Sequence, residues 1–219
     1  MRLKKFLNED GNIKLLGDDK EKRSLEIIDI IRRNCAPFLK KVGELDNFLY
    51  RGSDRIQVMD IAKTYARYNR SPKDMPHELH HILDDEFKKK FGWSARSEGV
   101  FAVPSCDTAR LYGTEYIFFP IGKFKYLWSK KIQDLFSYIA DEINLYGQAQ
   151  FYENLIDKIK NIVSSYTNKD IKKLLNDSKY ERCEIMFKCR EYYLVNNEYY
   201  DYLNGMTYEK DYNKQKSLF

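Results

Sequence analysis

Three short segments, far apart in the chain, each set one chemically useful group beside an apolar, strand-like run. In Phe48-Leu49-Tyr50-Arg51-Gly52 a guanidinium ends the run. Such a group can clamp a phosphate with two parallel hydrogen bonds, and a glycine beside it lets a ligand approach the backbone. In Val100–Gly113, Phe101 and Tyr112 offer flat faces for a ring and Ser105 offers a hydroxyl, as does Ser97 just upstream. In Cys183-Glu184-Ile185-Met186-Phe187 a carboxylate stands in apolar surroundings, where it is costly unless exposed or partnered. Placed in a cleft, Glu184 can hold a ribose hydroxyl and stabilise an oxocarbenium-like transition state. The plain readings are a surface arginine at a turn, strand–turn–helix packing, and a glutamate that alternates toward water. Taken together, a cation, an aromatic wall and a carboxylate suit an enzyme that grips a dinucleotide and breaks its glycosidic bond.

Other motifs compete with these. Asn69-Arg70-Ser71-Pro72 reads as a second phosphate-gripping loop, with Arg70 as its cation. His77-Glu78-Leu79-His80-His81 holds every histidine of the chain, but its spacing misses the HExxH zinc pattern. His77 and His81 share a helix face without further ligands to complete a set, so no metal is expected. Lys123–Lys131 interleaves bases with aromatics, as single-stranded nucleic-acid binders do; a solvated lysine face is the plainer reading. No phosphate-binding glycine loop opens a helix after a strand.

These groups need a scaffold. Hydrophobic residues make up 43% of 219, enough for a core of one domain. A net charge of +5 is compatible with an acidic partner or a polyphosphate without demanding one. The start lacks the apolar stretch of a signal peptide, and no apolar run reaches the roughly 20 residues of a membrane span. No CxxC pair occurs, so a cytoplasmic protein with reduced thiols is expected, in the host cytoplasm if the chain is viral.

The chain divides into an arm and helix over 1–47, a main domain over 48–204 and a tail over 205–219. Ser24 is the expected cap of a first helix with a Leu25, Ile28, Ile31 stripe, ended or interrupted by Pro37. Asp74 begins a second helix with a Leu79, Ile82, Leu83, Phe87 stripe and a stop at Gly92. A strand is expected within Ala95–Ala102, then a short helix capped by Asp107, then a strand over Tyr116–Phe119. Ser129 caps a long helix to Leu145, followed by helices over Glu153–Val163 and Asp170–Leu175. Strands over Glu184–Phe187 and Tyr192–Val195 follow. Irregular alternation favours α+β over a doubly wound sheet.

The order arginine, then hydroxyl and aromatic, then glutamate resembles the ADP-ribosyltransferase family. Arg70-Ser71-Pro72-Lys73-Asp74, Phe91-Gly92, Arg96-Ser97 and Val100-Phe101-Ala102 look like a phage-encoded subgroup of it. The resemblance covers roughly Leu49–Val195 and implies an α+β fold with a split β-sheet core. It implies NAD as substrate, with Arg51, Gly52 and Arg70 at its phosphates. Phe101 or Tyr112 would lie against nicotinamide, Ser97 or Ser105 would orient the amide or Glu184, and Glu184 would be the catalytic carboxylate beside Arg51. The implied activity is mono-ADP-ribosyl transfer to a host protein or nucleic acid, as in a phage counter-defence or host-takeover factor. Arg182 stands where arginine-modifying members carry Glu or Gln, which argues against an arginine acceptor. The alternatives are a non-catalytic binder of nucleic acid or host protein on the same fold, and an NAD glycohydrolase.

Overall fold

A computed structural model of the chain describes residues 11–17, 19–71 and 75–206. Helix α1 (Lys20–Asn34) is capped by Asp19, whose carboxylate accepts the Lys22 amide at 2.8 Å. Ser24 is therefore not the cap; it is buried inside the helix, and its hydroxyl donates to Glu21 O. The buried stripe is Ile27, Ile30 and Ile31, while Leu25 is exposed, one step off the expected face. Helix α2 (Ala36–Val42) restarts with Pro37 in its first turn, where a missing N–H costs nothing.

Strands β1 (Tyr50–Ser53) and β2 (Ile61–Tyr65) follow, then α3 (His77–Phe91). The expected start of α3 at Asp74 lies outside the described residues. Its stripe of Leu79, Leu83 and Phe87 is buried, and Gly92 stops it in the left-handed conformation at φ 77°. The expected strand over 95–102 splits into a one-turn helix α4 (Ala95–Glu98) and a short strand β3 (Val100–Ala102). Next come α5 (Cys106–Arg110), capped by Ser105 rather than Asp107, and the strands β4 (Thr114–Pro120) and β5 (Lys125–Ser129). Helix α6 (Leu135–Tyr146) starts later than expected, with Asp134 as its cap. Ser129 instead ends β5 and accepts the amides of Lys131 and Ile132. The helix expected over Glu153–Val163 is α8 (Leu155–Ser164), preceded by an unexpected short helix α7 (Gln148–Glu153). The rest is β6 (Tyr166–Thr167), α9 (Ile171–Asn176), β7 (Ile185–Lys188), β8 (Glu191–Asn196) and α10 (Tyr200–Leu203).

The fold is α+β, with two antiparallel four-stranded sheets ordered β1-β4-β8-β2 and β3-β7-β5-β6. They meet where Tyr50 of β1 and Val103, just past β3, exchange both backbone hydrogen bonds at 2.7 and 2.9 Å. The turn Cys189–Arg190 carries β7 of one sheet into β8 of the other. Side chains alternate between two cores. Ile185 and Phe187 join the main core with α1 and α2, while Met186 joins a second core with α3, α6 and α8. Both faces of the second sheet are thus covered, so Tyr126, Leu127 and Trp128 of β5 and Ile185, Met186 and Phe187 of β7 are consecutive buried apolar residues. Among the described residues no helix is long and apolar enough to cross a membrane. Cys106, Cys183 and Cys189 carry free thiols.

Candidate functional site

Phe101 is the hub of the site. Its neighbours in β3, Val100 and Ala102, face the main core, so its ring projects to the opposite side, against the second core. The Arg70 guanidinium lies 4.1 Å from the ring centroid and that of Arg96 lies 4.8 Å from it. Arg51 reaches the same strand from β1 and donates to the Phe101 carbonyl at 2.7 Å. Arg70 donates to Gly99 O at 3.0 Å, and its backbone N–H donates to Ser97 O. Three guanidinium groups thus converge on one strand end. Burial first, and then repulsion from Arg51 and Arg96, brings the Arg70 pKa down to about 10. Arg70 remains a cation at neutral pH, held among like charges. Arg96 Nε is buried with no hydrogen-bond partner among the described residues.

Glu184 supplies the facing carboxylate. It precedes β7 by one residue, with its amide donating to Gln133 O at 2.7 Å. By alternation it shares the face of Met186, and Arg96 Nη1 lies 3.0 Å from its Oε1. Its side chain is 17% exposed, so it is neither a solvated surface group nor sealed in. Burial raises its pKa to about 7, against the opposing pull of Arg96 and with some help from Asp134. The phenol of Tyr112, in the turn after α5, is raised by burial and then by the charges of Asp134 and Glu184. Tyr112 is largely exposed and lies near enough to Glu184 and Arg96 to feel their charges. Phe101 is engaged by two guanidiniums, whereas the Tyr112 ring is exposed.

One-turn helix α4 holds Arg96 and Ser97 in place, and α3 anchors it. Asp84 of α3 is buried and accepts the amides of Arg96 at 2.7 Å and of Ser97 at 3.0 Å, as well as the Ser97 hydroxyl. His80, one turn earlier, places Nε2 3.0 Å from Ser97 Oγ. Burial lowers the His80 pKa in spite of Asp84, with Arg96, His81 and Arg70 adding to the fall, so the ring is neutral at pH 7. A carboxylate that accepts several N–H groups at the start of a helix both caps it and fixes its direction.

Comparison of the chain with protein-family models, with curated proteins and with solved structures found no match. The site is therefore read from its own geometry.

That geometry brings together Arg51, Arg70, Phe101, Tyr112 and Glu184 from the sequence expectations. It sets Ser105 apart: its hydroxyl caps α5 by accepting the Thr108 amide, and it lines a separate pocket of about 280 Å³ with Pro104 and Glu181. Ser97 is at the site, but its hydroxyl is committed to Asp84 and His80. Gly52 admits the chain itself rather than a ligand. A Cβ there would lie 2.1 Å from Ala109 O, because α5 packs directly on β1. His77 and His81 are exposed, and among the described residues no group of three metal-binding side chains converges. Arg96, Asp84, His80 and Asp134 are the residues that sequence reasoning did not assign. The Arg96-Ser97 pair and the His80–Asp84 spacing of one helical turn were their only signals.

Proposed function

We propose that this cleft binds NAD and breaks its nicotinamide–ribose bond, passing ADP-ribose to a macromolecular acceptor. The observation that carries the reading is the convergence of Arg51, Arg70 and Arg96 on Phe101 beside the partly open Glu184. A pyrophosphate brings negative charge that offsets the crowding of the three guanidiniums, whose spare N–H groups match its oxygens. Tyr112 offers a face to the nicotinamide ring. Glu184 accepts a hydrogen bond from a ribose hydroxyl, and its negative charge stabilises the oxocarbenium-like carbon as the bond stretches. The C1′–N bond breaks with its electron pair going to nicotinamide. The acceptor's nitrogen or oxygen then bonds to C1′ and gives up its proton. A cationic nicotinamide ring nearby favours the ionised form of Glu184, whose pKa burial otherwise raises to about 7.

The test is nicotinamide release from NAD by the purified chain, with and without cell lysate. The expected result is release that Glu184→Ala lowers by roughly 100-fold or more, the usual scale for losing a group aimed at transition-state charge. Stimulation by lysate would mark a transferase, and release indifferent to lysate would mark water as the acceptor. A folded protein that releases no nicotinamide in either condition would overturn the reading.

A further inference from the structure

Beside the cleft runs a groove of about 790 Å³ whose lining contains the cations Lys41, Lys123, Lys125, Lys188 and Arg190 and no acidic residue. The sheet brings two of these charges together against their repulsion, since Lys125 of β5 lies directly opposite Lys188 of β7. Lys188 is answered by Glu98 of α4, at the edge of the groove, while Lys41, Lys123 and Lys125 extend exposed along it. Flat rings alternate with the cations. Tyr68 is 49% exposed at the rim, and Phe91 is half-buried. The floor is made of the buried rings of Trp93 and Tyr126, over which lie the Lys188 and Lys41 ammoniums at 6.0 and 5.4 Å.

We propose that this groove binds single-stranded nucleic acid, and that the bound strand is the acceptor for the cleft. The binding stands by itself; the acceptor role rests on the function proposed above. A concave row of cations with accessible rings matches a backbone of phosphates carrying exposed bases. A duplex keeps its base faces stacked inside, and an acidic peptide has no flat groups for Tyr68 and Phe91. The groove also leads to the chemistry. Tyr68 lies two residues from Arg70, Glu98 follows Ser97, and Arg190 O accepts the Ala66 amide at 3.0 Å. In the transfer, a nitrogen or hydroxyl of the strand forms the new bond to C1′ as nicotinamide leaves with the electron pair, and the acceptor's proton passes to solvent.

The experiment is fluorescence anisotropy of short labelled DNA and RNA oligonucleotides with the full chain. Contacts to about four phosphates would weaken single-strand binding roughly 50-fold between about 50 and 200 mM salt. The variant Lys41→Gln/Lys123→Gln/Lys125→Gln should bind at least about tenfold more weakly with a shallower salt slope, and Tyr68→Ala about tenfold more weakly at all salts. Glu184→Ala should bind as the parent does. Because the three lysines are exposed and outside the cleft, nicotinamide release without oligonucleotide should be unchanged in the triple variant. Absence of oligonucleotide binding, equal binding by the triple variant, or equally tight binding of an acidic peptide would overturn the groove assignment. Release without oligonucleotide binding would sink this proposal and spare the NAD reading, and binding without release would sink the NAD reading and the acceptor role with it while sparing the groove assignment. Transfer of labelled ADP-ribose onto the strand is the expected outcome, and release with an unlabelled strand would overturn the acceptor role.

Discussion

At the residue scale the decisive group is Glu184, because burial raises its pKa to about 7 even with Arg96 in contact. An unfolded glutamate titrates near 4.5. Between those values the folded protein binds more protons than the unfolded chain, so stability falls as pH rises. The contribution is full below about 4.5 and is lost as pH passes through about 7. Glu184→Gln cannot ionise, so it should unfold at a higher temperature than the parent at pH 8 and at a similar one at pH 4.5. Thermal melts at the two pH values check this, and an unchanged difference between them would contradict the raised pKa. Under the proposed activity the same ionisation sets a pH profile. The kcat/KM for nicotinamide release by the parent should rise with pH through about 7, where an exposed glutamate would give a profile already flat by pH 6.

At the scale of elements, the site depends on a helix too short to hold itself. One-turn α4 gains little from its own backbone hydrogen bonds, since nucleation is unfavourable at that length. Its direction comes from Asp84. Asp84→Asn replaces an acceptor-only group with one that must turn an N–H₂ toward other donors, at a cost of about 2 kcal/mol. The melting temperature should fall by roughly 4–8 °C for a domain of this size. Asp85→Asn, on the exposed side of the same helix, should stay within about 0.5 kcal/mol of the parent. Nicotinamide release should fall with Asp84→Asn, because Arg96 and Ser97 move with α4. Equal melting temperatures for the two variants would refute the anchoring role.

The same contrast governs what the sequence makes legible. The stripe and glycine stop of α3 are readable, because a period of 3.6 and a left-handed Gly92 are local signals. The start of α6 is not, because Ser129 and Asp134 are both good caps. The choice falls to the pairing of Ser129 with Tyr166 in β6, a non-local contact. For the site, Arg51, Phe101 and Glu184 are readable as reactive types at the ends of apolar strands. Arg96 carries no such mark. It matters because Glu184, 88 residues further along the chain, is brought against it at the start of β7. Ser105 and Ser97 look alike in sequence, and only the cap geometry and Asp84 separate them.

At the scale of the whole molecule, the cleft spans the seam between two sheets. Arg51 belongs to the first sheet, while Phe101 and Glu184 belong to or border the second. The sheets are tied there by the Tyr50–Val103 bridge and by the Arg51 contact to the Phe101 carbonyl. A ligand that takes up guanidinium donors from both sheets therefore adds a tie across the seam and stabilises the fold by mass action. At a concentration of about 100 times its Kd, NAD should contribute about 2.7 kcal/mol and raise the melting temperature by roughly 5–11 °C. Amide exchange at Tyr50 and Val103 should slow with it, because opening the seam then requires release of the ligand. Arg51→Gln keeps the strand but removes the charge contributed by the first sheet. Its melting shift at the same NAD concentration should be smaller, and the seam amides should gain less protection. If Arg51→Gln shifted as far as the parent while Glu184→Gln did not, the ligand would lie wholly on the second sheet, and the cleft would not be a site shared between the two.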